Sequence, residues 1–472
     1  MDFPIFHLDF IGNRMLIAGM AVVHVIINHA MAVGAIPLIT LLEWRAFKRG
    51  EEALDRLAYQ LTFVIFVITT SVGAMTGVGI WFTTSLVNPD AIGSLIRVFF
   101  WAWFFEWTIF VLEVIFIMLY FLSWKKLAGA KKIRHIQMGA LLSIFSWLTM
   151  AIITGILAFM MNSGRWAPYF REWSPDSTLL TAFLNPLYLP QLAFRTPFAM
   201  IMAGLFFLFL VPFFSRRSEA VRGQGVRLIT LWSLFWLPIF LVASLWYWRA
   251  IPDAMALQAP VAVTTQNFIS WYKTILRLIQ ALGLTTLLIM LWGVLRPRRL
   301  PSVALVLPFF IGMALLGLFE RIREFVRKPY VLQNYMYANS YRVRDYPLLK
   351  ETGVLAQASY VSEKRVTPDN SLAAGRDVFL LTCSRCHTLS GVNSVTVKFS
   401  QLFLDQKWKQ ETVAAYIENM HHVRTYMPPF PGNAEELNSL AEFIISQQNK
   451  KFRQEGAQDG AVAKTIAGVR SK

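Results

Sequence analysis

Cys383-Ser384-Arg385-Cys386-His387 places two thiols three positions apart with an imidazole directly after the second. Each thiol can add to one vinyl group of a heme, and His387 then lies under the ring as an axial iron ligand. These are the only cysteines in 472 residues. A disulfide framework and a cysteine-rich iron–sulfur site are therefore excluded. A dithiol redox pair uses the same spacing but leaves the histidine unexplained. The second axial ligand must come from downstream. Met427 is the favoured candidate, because its thioether precedes Pro428-Pro429 on a stiff loop, and thioether ligation raises the potential. Met420, His421 and His422 compete for that role.

A second group of residues stands out by depth. Ionisable side chains inside apolar runs are costly and are functional candidates by default. His24 and His29 lie in the first run, and Glu106 and Glu113 in the third. The two carboxylates are seven residues apart, two helical turns, which sets them on one stripe. Glu320 and Glu324 close the last run on one face. Each has a plainer reading. A histidine can hydrogen-bond a neighbouring helix, Glu106 can pair with Arg97, and Glu320, Arg321, Arg323 and Glu324 can form a wet helix end. Together they suggest a buried cofactor site with a proton supply.

The elements that position these residues are membrane helices. Hydrophobic residues make up 56% of the chain, with 16 Trp, 38 Phe and a mean hydropathy of +0.47. Eight apolar cores are long enough to span: 15–42, 57–82, 95–123, 136–161, 192–214, 228–247, 273–295 and 302–320. The first lacks a basic n-region and a cleavage site and is read as a retained span. Basic residues crowd the odd loops: Arg45, Lys48, Arg49 and Arg56; Lys125, Lys126, Lys131, Lys132 and Arg134; Arg216, Arg217, Arg222 and Arg227; Arg296, Arg298 and Arg299. The even loops hold only Arg97, then Arg165 and Arg171, then Arg249. Basic loops stay in the cytoplasm, so both termini are expected outside. Topology thus accounts for the net charge of +17, and no nucleic-acid partner is expected. Covalent heme attachment takes place on the outer face of the bacterial membrane, the same side.

The expected fold is all-α: a polytopic transmembrane bundle of about eight spans in 1–330, a linker or lid in 331–369, a small helical domain in 370–450 and a flexible tail in 451–472. A helix over Ala373–Thr382 leads into the heme motif, with Gly375 and Phe379 expected on its heme side. Leu437, Leu440, Phe443 and Ile444 recur at helical spacing and predict a closing helix.

The segment Gly375-x-x-x-Phe379-x-x-x-Cys383-x-x-Cys386-His387, the Met-Pro loop and the closing helix resemble a class I cytochrome c domain. Residues 11–330 resemble subunit I of the cytochrome bd oxygen reductases. Arg14 stands ten residues before His24. Glu106-Trp-Thr-Ile-Phe-Val-Leu-Glu113-Val matches the third-span pattern, with a carboxylate spacing one shorter than in the family. Leu184-Asn185-Pro186 precedes the fifth span, and Glu324-Phe325-Val326-Arg327-Lys328-Pro329-Tyr330 follows the eighth. The resemblance implies that His24 is the axial ligand of the oxygen-reactive heme and Glu324 that of a neighbouring high-spin heme b. It implies that Glu106 and Glu113 conduct protons, and that Arg14 and Arg327 neutralise heme propionates. The cofactors implied are one covalent heme c and two high-spin hemes, heme b with heme d or b. A second, related membrane subunit is the implied partner.

The departures are equally specific. The family's low-spin heme histidine falls in Leu192-Ala-Phe-Arg195-Thr196-Pro197, where arginine stands. The partner methionine is missing from Tyr272-Lys-Thr-Ile-Leu-Arg277, and the quinol loop shrinks to about 249–270. The expected activity is therefore a bd-like reduction of O2 to water, with electrons taken through the external c-type heme from a periplasmic donor and not from quinol. The alternatives are an electron-transfer subunit that binds no oxygen, or reduction of another small oxidant such as NO. Lys398, Lys407, Lys409 and Arg424 would favour an acidic donor. The expected location is the bacterial inner membrane.

Overall fold

The computed structural model describes residues 3–166, 178–215, 219–403 and 408–448. Arg171, Arg216, Arg217, Lys407 and the tail after 450 lie outside the described residues. Among the described residues, eight helices are long and apolar enough to cross a membrane: Asn13–Arg49, Glu52–Val87, Pro89–Ser123, Gly129–Met161, Tyr188–Phe214, Glu219–Ala250, Gln266–Leu295 and Ser302–Val326. Each contains one of the eight apolar cores read from the sequence. In a bilayer the backbone must satisfy its own hydrogen bonds, which leaves such runs no alternative to helix. The protein is a multi-pass, helical membrane protein.

The chain forms two compact units. One comprises Gly19–Phe82 and Ile92–Arg327, and the other Met1–Ala18, Thr83–Ala91 and Lys328–Lys472. In the first, the membrane unit, the fifth span is central: 78% of its most apolar stretch is buried, against 11% for the third span. Gly34 lets the first span touch it, since a Cβ there would fall on the carbonyl of Ala199. Two helices carry π-helical turns, Ile27–Val33 in the first span and Thr69–Gly73 in the second. Such turns add one residue to the helical repeat and re-aim the side chains beside them. His29 lies in one of them, and Thr76 follows the other.

A buried polar knot ties the first four spans, and it was not foreseen from the sequence. Glu43 Oε1 accepts from Lys132 Nζ at 2.8 Å and meets His135 Nδ1 at 2.5 Å, while Tyr120 Oη donates to Glu43 Oε2 at 2.5 Å. Lys132 also pairs with Asp55 at 2.8 Å, and Trp124 Nε1 donates to Asp55 at 3.1 Å. Tyr120 stacks on His135 with ring centroids 4.3 Å apart. Lys132, read above as one of the loop cations, is therefore a buried partner of two carboxylates. The signal lay in Glu43 itself, which follows Ile36 and Ile39 at helical spacing on the buried face. Removing one member of a buried charge pair leaves the other uncompensated. Glu43→Ala should destabilise the protein by about 3–5 kcal/mol, read as a lower thermal midpoint of the detergent-solubilised chain, with Glu43→Gln milder.

The second, C-terminal unit is built from a small hairpin, Tyr330–Leu332 with Met336–Tyr337, and the helices Tyr346–Thr352, Ser371–Thr382, Val395–Phe403, Gln410–Val423 and 434–448. Its core includes Val378, Phe379, Leu381, Val413, Ile417, Phe430, Leu440 and Ile444. Gly375 faces the closing helix. A Cβ there would strike the backbone of Ser439, and Phe379 packs against Phe443 at 6.1 Å. These two residues instead let the helix before the heme motif cross the closing helix.

Candidate functional site

The heme motif begins where the helix Ser371–Thr382 ends, with Cys383 as its C-terminal cap. Both thiols are free. Burial pushes the Cys383 thiol up to about 11, the reverse of the lowered values that make redox-active dithiols nucleophilic. The His387 ring is oriented by the following turn: its Nδ1 lies 3.1 Å from the carbonyl oxygen of Asn393, whose amide donates to the Cys386 carbonyl at 2.6 Å. An Nδ1 proton given to that carbonyl leaves Nε2 as the free base, the tautomer an iron ligand requires. Burial pulls the His387 imidazole down to about 4, so it stays neutral at ordinary pH. Two thiols at this spacing and a neutral imidazole with one free nitrogen fit a covalent c-type heme.

The N-terminal stretch forms part of this site. The Asp9 carboxylate accepts from Leu389 N at 2.5 Å, Ser390 N at 3.2 Å and Ser390 Oγ at 2.6 Å, and Val392 N donates to the Phe10 carbonyl at 3.2 Å. The loop after His387 is thus strapped by residues before the first span. Arg385, one of the two residues between the cysteines, reaches the carbonyl of Val87 and lies 4.0 Å from Asp90. Arg14 belongs to this unit, and its positive charge helps lower both His387 and Lys398. In Lys398 the larger cause is burial, followed by Arg424.

Met427 is held on both sides. His421 Nδ1 lies 2.5 Å from the Met427 carbonyl oxygen, and Tyr346 Oη donates to the Pro429 carbonyl at 3.0 Å. Tyr346 in turn accepts from Asn339 at 3.1 Å and packs on Tyr337 at 4.9 Å. Met420, in contrast, packs against the hydrophobic core of the unit, and His422 is exposed. Tyr346 and Asn339, which no local pattern marked, therefore fix the loop. Met427→Ala should lower the midpoint potential of the c-type heme and Met420→Ala should leave it nearly unchanged. Tyr346→Phe should shift it in the same direction by less. Redox titration of the covalent heme band checks all three.

In the membrane unit the two histidines separate. His24 Nδ1 lies 3.1 Å from Thr76 Oγ1. The Thr76 hydroxyl donates to the carbonyls of Val72 and Gly73 at 2.8 and 3.0 Å, so it can only accept from the histidine. That fixes the His24 proton on Nδ1 and leaves Nε2 free. His29 is committed elsewhere. Its Nδ1 meets the Val25 carbonyl at 3.1 Å and its Nε2 meets Arg195 Nη1 at 3.2 Å. His24 is therefore the histidine of the pair with a free ligating nitrogen.

Arg195 is 2% exposed and sits at the centre of a charge network. Its Nη2 donates to Glu320 Oε1 at 2.9 Å, and Arg323 Nε donates to Glu320 Oε2 at 2.9 Å. The guanidinium also lies 5.7 Å from the Phe319 ring. Glu320, read as part of a wet helix end, is 4% exposed and bonded across to the fifth span. Its helical phase is the reason: it continues the face that carries Leu316. Glu324 pairs with Arg327 three residues on. Glu113 accepts from Ser146 of the fourth span at 2.5 Å. Glu106 lies among exposed Phe104, Phe105 and Trp107, and no ion pair joins it to Arg97 among the described residues.

Residues 370–444 match the family profile of cytochrome c oxidase, cbb3-type, subunit III. The chain is similar in fold to the bd oxidase from Geobacillus thermodenitrificans, with a TM-score of 0.56 and 15% identity over 70% of this chain and 90% of that one. Among curated proteins nothing matches the sequence. The class is defined by these two halves: a membrane domain with a bd-like fold, fused to a C-terminal cytochrome c domain. The protein is a heme-containing membrane redox protein of electron transport, and its cytochrome c domain carries a c-type heme.

Proposed function

We propose that the chain is the catalytic subunit of a bd-like oxygen reductase that receives electrons at its cytochrome c domain. The observation that carries this reading is His24, a half-buried imidazole in a bd-like bundle. Thr76 holds its Nδ1 and its Nε2 is left free. That arrangement fits an axial ligand to a non-covalent heme, with Glu324 the candidate ligand of a second. Bound there, iron porphyrins supply oxygen binding and electron storage.

The residues of the chain provide the rest. Glu106 and Glu113 share a stripe of the third span, and Ser146 orients Glu113 for proton delivery. Arg195 supports the loss of the quinol route. It stands where the resemblance places a low-spin heme histidine, and its guanidinium is bonded to His29 and Glu320. With that ligand gone, the c-type heme becomes the electron port for a periplasmic donor. Eight spans with basic odd loops support an inner-membrane chain whose termini lie on the outer side. A related membrane subunit would cover the aromatic face around Glu106.

His24→Ala should abolish the spectral shift that carbon monoxide induces in the reduced protein while the c-type band persists. A chain without any such shift in its native form would be an electron carrier and not an oxidase. Glu113→Gln should slow oxygen consumption by about 100-fold, the scale of losing one positioned proton carrier, with the c-type heme still reduced at its normal rate. An oxygen electrode and stopped-flow reduction separate the two.

A further inference from the structure

The network around Arg195 holds more polar atoms than it satisfies. Gln191 lies one turn before Arg195 on the buried face of the fifth span and is 0% exposed. Neither its amide nitrogen nor its amide oxygen has a hydrogen-bond partner. Arg195 Nε and Arg323 Nη1 are also buried and unbonded. Native proteins rarely leave one such group unpaired, and here four fall on three side chains of adjoining helices.

The charges do not balance either. Arg195 and Arg323 share a single carboxylate, Glu320. Neither guanidinium forms a second ion pair among the described residues, so two of them meet one carboxylate. His29 does not help. It accepts from Arg195 on Nε2 and faces a carbonyl through Nδ1, which makes it neutral. An excess positive charge in a low-dielectric interior calls for a single negative one.

We propose that Gln191, Arg195 and Arg323 form a binding site for a carboxylate group inside the membrane unit. Two guanidinium donors supply charge-assisted hydrogen bonds, the strong kind. The Gln191 amide supplies a neutral donor beside them. One net charge selects a monoanion over a phosphate dianion. Two sources present this chemistry. One is the carboxylate arm of a porphyrin in the unit, which rests on the reading of His24 above. The other is a small free carboxylate from solution.

The test uses the full-length protein in detergent, native and as Gln191→Leu, Arg323→Gln and Arg323→Lys. With a porphyrin arm bound, Arg323→Gln lowers the potential of the non-covalent heme. Its loss to an apo-myoglobin acceptor becomes roughly tenfold faster, the scale of one charge-assisted hydrogen bond. Arg323→Lys restores part of both, and the c-type potential does not move. With a free carboxylate bound, acetate raises the melting temperature of the native protein above that in chloride of equal ionic strength, and Gln191→Leu abolishes the difference. Should the protein hold no heme beyond the covalent one, the His24 reading fails alone and the acetate comparison decides the site. The proposal is overturned if acetate and chloride act alike while heme retention and potential are indifferent to all three substitutions.

Discussion

The contact between Arg195 and Glu320 governs the membrane unit. A guanidinium buried at membrane depth is tolerated only with a carboxylate in hydrogen-bond reach. Meeting that condition draws the eighth span onto the fifth, 125 positions apart in sequence, and brings His29 of the first span, 166 positions away, to the other face of the same guanidinium. The central position of the fifth span follows, as does the separation of the two histidines. Once Arg195 occupies Nε2 of His29, the free ligating nitrogen of the pair belongs to His24.

The C-terminal unit solves a different problem. A c-type heme domain must hold two ligand-bearing loops still around a group that contributes no backbone of its own. Here the loop after His387 is fastened by the Asp9 carboxylate and the Phe10 carbonyl, and the Met427 loop by Tyr346 and His421. Residues before the first span and residues after the last thus serve one heme site. Arg385 adds a third fastening within the attachment motif itself, at the carbonyl of Val87.

Features with a local signal were legible in the sequence. The spacing of Cys383, Cys386 and His387 is a property of five consecutive residues. The eight spans are properties of runs of about twenty. Polar groups at helix ends were less legible. Lys132 counted as a loop charge and Glu320 could have been a wet terminus, yet both are buried, because helical phase and not proximity to a loop decides which way a side chain points. Glu43 and His135, at the heart of the knot between the first four spans, carried no motif at all.

Taken alone, the amino-acid order determined which runs form the eight membrane helices and where a heme can be covalently attached, since hydropathy and residue spacing act along the chain. Tertiary structure decided which nitrogen of each histidine is free, which carboxylate neutralises which cation, and that Gln191 is left without a partner. Those outcomes depend on the rotation of each helix about its axis and on contacts between residues 52 to 166 positions apart, quantities that no local pattern encodes.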